Sequence, residues 1–314
     1  MISELKPLKF ITVLGTTYSG ASAVFDYLDG RKDLRNPLKG EEYLLPILPN
    51  GLMTLEAATE KAFDPAICEY HLIMFQEISR RLVKYWSRQG KNKKFILLFH
   101  KCINQFINDI SCVDYPMRLF WRELANTSLE KKLHRAQNLL GFKKFNHQAR
   151  LLVSEKKFIK AAHKMHTNLF KKNGDNKPII LNQGGSGWNP IESTKYFKNP
   201  KILIITRDPR DQYLEIKHSK KGYSVMGFIG WYKEMQRRLK LIKDKNVLII
   251  KFENFVNYNK RYKKIICKHL KISNKIISSY KAELSQKNIG KFRKNLDRKD
   301  IKLIEKHLRD FIYV

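Results

Sequence analysis

At 314 residues, with 43% hydrophobic and 11% aromatic content, the chain is long enough for one large or two modest globular domains, and no run of about eighteen apolar residues would cross a membrane as a helix. Cys68, Cys102, Cys112 and Cys267 lack CxxC spacing, which argues against a zinc site or a disulfide framework, and the opening MISELKPLKF has no signal-peptide core, so a reducing, cytoplasmic setting fits. A net charge of +33, from 62 basic against 29 acidic residues, implies anionic company: a nucleotide, an acidic glycan, nucleic acid or the face of an anionic membrane.

Phe10–Leu14 is a short apolar run rich in β-branched residues, the composition of a buried strand. Gly15 stops it. Thr16, Thr17, Tyr18, Ser19 and Gly20 follow as small or hydroxylated loop residues, and Ala21 opens a helical spacing through Val24, Phe25 and Leu28 that Gly30 closes. A strand, a glycine-bounded loop and a helix let consecutive N–H groups and the positive end of a helix dipole converge on one anion. The nucleoside-triphosphate motif G-x-x-x-x-G-K-[ST] is in frame at Gly15, Gly20 and Ser22, but its Lys position is Ala21. Such a loop suits a phosphate and makes a poor ATPase. The plainer alternative is an ordinary βα turn that carries two glycines.

Pro37, Pro46 and Pro49 make 31–49 a loop, in which Lys39, Glu41 and Glu42 follow the first βα unit. A carboxylate there is placed to act as a general base if it faces a transferred group, and is otherwise a solvated surface pair. From Met53 to about Lys172 the pattern is mostly helical: Leu72, Ile73, Phe75, Ile78, Leu82 and Trp86 recur at helical spacing, as do Leu133, Leu139 and Leu140, then Phe158 and Ile159. One run, FILLF at Phe95–Phe99, reads as a strand ending at His100. The histidines here, His134, His147, His163 and His166 among them, show no ligand set for a metal. A helical insertion of this kind commonly forms a lid or a substrate wall over an α/β core.

The βα rhythm then returns. PIILN at Pro178–Asn182 is a strand followed by the turn Gln183–Gly187; KILIIT at Lys201–Thr206 is another, ending in Arg207-Asp208-Pro209-Arg210-Asp211; NVLIIK at Asn246–Lys251 leads into Phe252-Glu253-Asn254-Phe255 and a helix. Near-continuous apolar strands alternating with helices predict a parallel sheet covered on both faces, with ligands beyond the carboxyl ends of its strands. Arg207 and Arg210 read as a second anion site at that edge, because a guanidinium fork matches a phosphate bidentately. Alone, the turn is equally an internal ion-pair network; beside a phosphate loop, two separated phosphates become the better reading.

In order along the chain, GTTYSGAS, ILIITRDPRDQY, LIIKFENF and Asn288-Ile289-Gly290-Lys291-Phe292-Arg293 resemble the four nucleotide motifs of sulfotransferases that use 3′-phosphoadenosine 5′-phosphosulfate. The resemblance implies a P-loop NTPase-like α/β fold, a parallel sheet flanked by helices with a helical insertion in the middle of the chain. It implies one domain over 1–314, with a nucleotide core at 1–50 and 176–314 and an insertion at about 55–175 forming the acceptor side. Carried over by position, Thr16, Thr17, Tyr18, Ser19, Gly20, Ala21 and Ser22 would hold the 5′-phosphosulfate. Arg207 would bind the 3′-phosphate, and Gly290, Lys291 and Arg293 would close over it. A carboxylate after the first helix, Glu41 or Glu42, would be the base, with His100 as second choice.

The chain departs from the pattern twice. Tyr18 stands where the loop usually has Lys or Arg, leaving Lys39 as a candidate catalytic cation, and Glu215 stands where a Ser usually meets the 3′-phosphate, with Ser219 as a substitute. The reading implies adenosine 3′,5′-bisphosphate as product and no metal. Its partner would be a hydroxylated acceptor, an acidic glycan or its lipid-linked precursor, met at the inner face of an anionic membrane, with no specific nucleic acid. Two other classes stay open: a nucleotide kinase or NTPase, against which Ala21 argues, and a non-catalytic basic polyanion-binding protein, for which no aromatic-plus-basic recognition motif speaks.

Overall fold

The computed structural model describes residues 8–90, 93–116, 148–172, 174–219 and 224–313, with isolated positions at 132, 136 and 139. The chain divides into two compact units, Met1–Pro46 with Phe170–Val314, and Ile47–Leu169.

The first unit is built on a four-stranded sheet. Its strands are β1 (Phe10–Gly15), β4 (Ile179–Asn182), β5 (Lys201–Thr206) and β6 (Val247–Lys251), in the order β4-β1-β5-β6, and every pairing is parallel. Parallel strands are covered on both faces, which is why β1 and β5 read as unbroken apolar runs. Alternate residues go to opposite sides. Ile11, Val13, Leu203, Ile205 and Ile250 pack with Val24, Phe25 and Leu28 of α1 (Ala21–Asp29) and with Phe255, Ile266 and Leu270 beyond β6. Leu14, Ile202 and Ile204 pack on the other face with Tyr213, Leu214, Phe228, Tyr232, Met235, Ile304 and Leu308. Each such aliphatic or aromatic side chain contributes about 1.5–3 kcal/mol of burial. The four strands expected in this unit and the helix after Gly20 are present, shifted by a residue or less at their ends.

The second unit holds α2 (Leu52–Ala57), α3 (Pro65–Arg88), α4 (Lys93–Ile110), a two-stranded antiparallel ribbon of β2 (Ser111–Pro116) and β3 (Gln148–Leu152), and most of α5 (Glu155–Phe170). Asp64 caps α3 by accepting from the N–H groups of Ala66 and Ile67, with Pro65 at the first helical position. The spacing from Leu72 to Trp86 belongs to α3 and Phe158–Ile159 to α5. Leu133, Leu140, His134 and His147 lie outside the described residues.

The strand expected at Phe95–Phe99 is a correction: those residues are the first turns of α4. Phe99 is buried with Cys102, Ile103, Phe106, Ile107 and Ile110, a helical stripe, whereas Leu97 is 68% exposed. A buried strand would have hidden the whole run. His100 is therefore half-buried in mid-helix and does not end a strand.

In the first unit, α6 (Pro190–Thr194) follows the turn after β4, α7 (Pro209–His218) follows β5, and α8 (Val225–Lys240) leads back to β6. After β6 come α9 (Phe252–Asn257), α10 (Asn259–Leu270), α11 (Ala282–Gln286), α12 (Phe292–Asn295) and α13 (Arg298–Leu308). Asp208 starts α7, its carboxylate accepting from Arg210 N–H beside Pro209. Among the described residues no helix is long and apolar enough to cross a membrane.

Candidate functional site

The carboxyl edge of the sheet gathers the loop after β1, the turn after β4, the start of α7, the start of α9 and the segment 288–293. The loop is tightly wound. Ser19 N–H donates to the Thr16 carbonyl at 2.9 Å, and Tyr18 and Gly20 both take positive φ, 57° and 82°. Gly15 leaves no room for a side chain, since a Cβ there would lie 2.2 Å from Ser19 Oγ and 2.8 Å from Ala21 Cβ. At Gly20 the left-handed backbone lets α1 begin immediately, and a Cβ would strike the Phe252 ring at 2.5 Å. Among the described residues no side chain caps α1. The N–H groups of Ala21 and Ser22, at the first positions of the helix, open at the end of the loop with the positive end of the dipole.

Two glutamines brace this loop from neighbouring elements. Gln183 Oε1, at the end of β4, accepts from Gly15 N–H at 3.2 Å. Gln212, on α7, donates through Nε2 to Thr16 Oγ1 at 3.2 Å and to the Thr17 carbonyl. Thr17, Tyr18 and Ser22 are exposed, so the cradle faces solvent, while of its two supports Gln212 is buried and Gln183 half-buried.

Arg207 links the loop to the far end of the chain. Its side chain is only 5% exposed and lies over the Phe252 ring at 5.4 Å. One guanidinium nitrogen donates to the Tyr18 carbonyl at 3.1 Å and another to the Asn288 carbonyl at 2.6 Å. Asp211, one turn into α7, accepts from Gly290 N–H at 2.6 Å and Phe292 N–H at 3.0 Å, which fixes the turn at 290–293. Glu215, one further turn along, stands 3.9 Å from Arg207 and 3.4 Å from Lys291 Nζ.

Arg210 is a correction to the sequence reading. Its guanidinium turns back onto Asp208 at 2.8 Å, reaches Glu305 at 2.7 Å and the Tyr313 carbonyl at 3.0 Å, and stacks 4.1 Å from the Phe292 ring centroid. The alternative weighed for the turn, an internal ion-pair network, describes Arg210, while Arg207 alone faces the loop. Ser219 is not brought to Arg207. It follows the last residue of α7, a helix length of about 15 Å away, and its hydroxyl is spent on the Ile216 carbonyl at 2.8 Å. Arg293, exposed, lies over Phe292 beside Gly290, whose φ is 74°.

Four buried polar atoms around this edge find no partner among the described residues: Ser19 Oγ, Arg207 Nε, Gln212 Oε1 and Glu253 Oε2. Their residues are between 0% and 6% exposed. Buried polar groups in folded proteins are almost always satisfied, so a cluster of unsatisfied ones marks a place for water or a ligand. Glu253 is held by its other oxygen, which accepts from Asp208 N–H at 2.8 Å, and burial pushes its carboxyl up to about 7.

The loop with the candidate bases lies on the opposite side of β1. Tyr43 N–H donates to the Asn182 carbonyl at 2.9 Å, Asn182 Nδ2 donates to the Gly40 carbonyl at 3.0 Å, and Glu42 forms a single parallel bridge with Asn182. Because Asn182 pairs with Val13, Glu42 stands two strand spacings, roughly 10 Å, across the sheet edge from β1. Burial, then the neighbouring Glu41 charge, raises the Glu42 carboxyl above its usual value. Lys39 is exposed on the same loop at φ 50°. His100 belongs to the second unit.

No family model matches this sequence, and no curated protein matches it. Solved structures do. The sulfotransferase domain of the Synechococcus PCC 7002 olefin synthase aligns over 97% of this chain and 96% of its own at 12% identity and a TM-score of 0.46. The sulfotransferase domain from the curacin biosynthetic pathway aligns over 96% and 98% at 10% identity and a TM-score of 0.43, and a sulfotransferase from Alicyclobacillus acidocaldarius over 96% and 96% at 13% and 0.37. All three of these solved structures are sulfotransferases. Identities and scores this low leave the chemistry of the site to be judged on this chain's own residues.

Those residues provide one open helix N-terminus, one buried guanidinium across from it, and carboxylates on a separate loop. Gln212, Asp211 and Glu253 had no assigned role in the sequence. The signal for Asp211 was its place in RDPRD, four residues before Glu215 and so on the same face of a helix. Among the described residues no three His, Cys, Asp or Glu side chains are grouped to hold a metal.

Proposed function

We propose that the chain transfers a sulfuryl group from 3′-phosphoadenosine 5′-phosphosulfate to the hydroxyl of an acceptor. The observation that carries this reading is Arg207: a buried guanidinium that spans the Gly15–Gly20 loop and the 288–293 segment, beside a helix N-terminus lined by the unpartnered Ser19 hydroxyl. The residues fit a ligand with two separate anionic groups. The loop and the first N–H groups of α1 suit one of them, Arg207 and Lys291 the other.

The donor supplies an activated sulfuryl group and a phosphate leaving group. The chain's own part is positioning and charge. The N–H groups of 20–22 and the Ser19 hydroxyl stabilise developing negative charge from a pre-set direction, and Gln183 and Gln212 keep the loop from rearranging. Glu42 takes the acceptor proton onto a carboxylate oxygen, helped by a raised pKa that brings its basicity nearer to neutral pH. Glu41 and Lys39 flank it. The net charge of +33 supports an acidic acceptor, a glycan or its lipid-linked precursor, met in the cytoplasm at the inner face of an anionic membrane.

Calorimetric titration with adenosine 3′,5′-bisphosphate tests this, with ATP and Mg²⁺ as comparison. The bisphosphate is expected to bind and to lose at least tenfold in affinity in Arg207→Ala, as the loss of a charged hydrogen-bond donor implies. Preference for ATP with Mg²⁺ would move the assignment to a kinase or NTPase. Binding of neither would reduce the loop to a structural turn.

A further inference from the structure

We infer that Glu215 is a built-in counter-ion standing where the second phosphate of the ligand must go, and that it sets the affinity of that half of the site by competing for Arg207 and Lys291. The inference rests on the proposed nucleotide reading of the site and deepens it. A single carboxylate oxygen of Glu215 is 3.9 Å from the Arg207 guanidinium and 3.4 Å from Lys291 Nζ. Both cations thus approach the same oxygen, Arg207 from just before α7 and Lys291 from the 288–293 segment. The backbone donors of that segment are also engaged, Gly290 and Phe292 N–H both ending on Asp211.

Asp211 and Glu215 are one helical turn apart on the same face of α7, so two carboxylates balance the two cations when no ligand is bound. Asp211 is 1% exposed and held by two N–H donors, which makes it a fixture. Glu215 is different. Its side chain is 29% exposed and, among the described residues, has only the two long contacts, so it can rotate into solvent and yield its place. A phosphate arriving at Arg207 and Lys291 must displace it or sit beside it, and a like charge within about 4–6 Å disfavours the bound anion.

Two consequences follow in one direction. An empty site keeps Arg207 and Lys291 paired, so the 288–293 segment stays organised. A filled site holds its second phosphate less tightly than two unopposed cations would, so a bisphosphate product leaves faster. Glu215 is thus a specificity-determining residue that lowers the premium on the second phosphate.

The experiment is a titration of wild type, Glu215→Gln and Glu215→Ser with adenosine 3′,5′-bisphosphate and, separately, with 5′-AMP, which has no second phosphate. Thermal unfolding of each variant confirms that it is folded. The expected result is bisphosphate affinity increased on the order of tenfold in both variants, the size that a partly screened charge implies, with 5′-AMP affinity changed less than twofold. An unchanged ratio of bisphosphate to 5′-AMP affinity, or a ratio that falls, would overturn the inference. Wild type that binds the bisphosphate and loses it in Arg207→Ala, with no gain in the Glu215 variants, refutes the counter-ion role alone. Absence of binding in wild type and variants alike refutes the nucleotide reading and this inference with it.

Discussion

Glu253→Gln isolates the cost of burying one acid at the sheet edge. Glu253 is 1% exposed, accepts one backbone N–H from Asp208, and leaves its other oxygen without a partner among the described residues. Burial raises its carboxyl from 4.5 to about 7. Between those values the folded protein keeps a proton that the unfolded chain releases, so stability falls as pH rises through the window, and the penalty is complete above pH 7. The displacement corresponds to about 3 kcal/mol, taken at about 1.4 kcal/mol per pH unit. Gln keeps an oxygen for Asp208 N–H and resembles the protonated acid in shape, so the variant should lack this slope. Urea unfolding followed by tryptophan fluorescence from pH 4.5 to 8 reads the difference directly, since other titrating groups cancel between the two proteins. The variant should gain on wild type by about 3 kcal/mol across the range. Parallel pH profiles, or a wild type that gains on the variant as pH rises, would refute the argument.

Gly15→Ala forces a methyl against Ser19 Oγ, which it would meet at 2.2 Å, and against Ala21 Cβ at the start of α1, at 2.8 Å. The loop must open, so a loss of about 1–3 kcal/mol of stability and of most bisphosphate affinity is expected; thermal melts and calorimetry check both. If Glu42 is the base, Glu42→Gln lowers kcat about 10²–10⁴-fold with bisphosphate binding unchanged, whereas Glu41→Gln acts weakly; full turnover in both variants would remove this loop from the chemistry.

What was legible in the sequence follows from burial. Strands β1 and β5 are hidden on both faces, so their apolar runs stand out against polar loops on either side. FILLF shows the limit of that signal. Five apolar residues fit a strand or a helical turn, and only the continuation through Cys102, Ile103 and Phe106 decides for α4. The β2–β3 ribbon gave no run at all, because SCVDYP mixes polar and apolar residues and pairs with a segment more than thirty positions away.

Within RDPRD the two arginines are chemically alike in the sequence. The difference between them is made by Asp208: capping α7 places its carboxylate where Arg210 folds back onto it, while Arg207, before the cap, stays with the loop. Glu215 could be placed on the Asp211 face by helical spacing, but its distance to Lys291 depends on where residues 288–293 return, which no local pattern records.

The place of β1 in the sheet bears on how the chain is made. It pairs with Ile179–Asn182 on one side and Lys201–Ile205 on the other, so the sheet's first strand has no neighbour until about 160 further residues exist. At 5–20 residues per second that wait is roughly 8–30 s on the ribosome. Throughout it FITVL, uncharged, proline-free and strong in β-propensity, is open to other partners. Refolding from denaturant meets the same topology, and long-range parallel pairing makes it slow and sensitive to protein concentration. The central position that buries β1 on both faces and both edges makes it the longest-waiting strand of the growing chain.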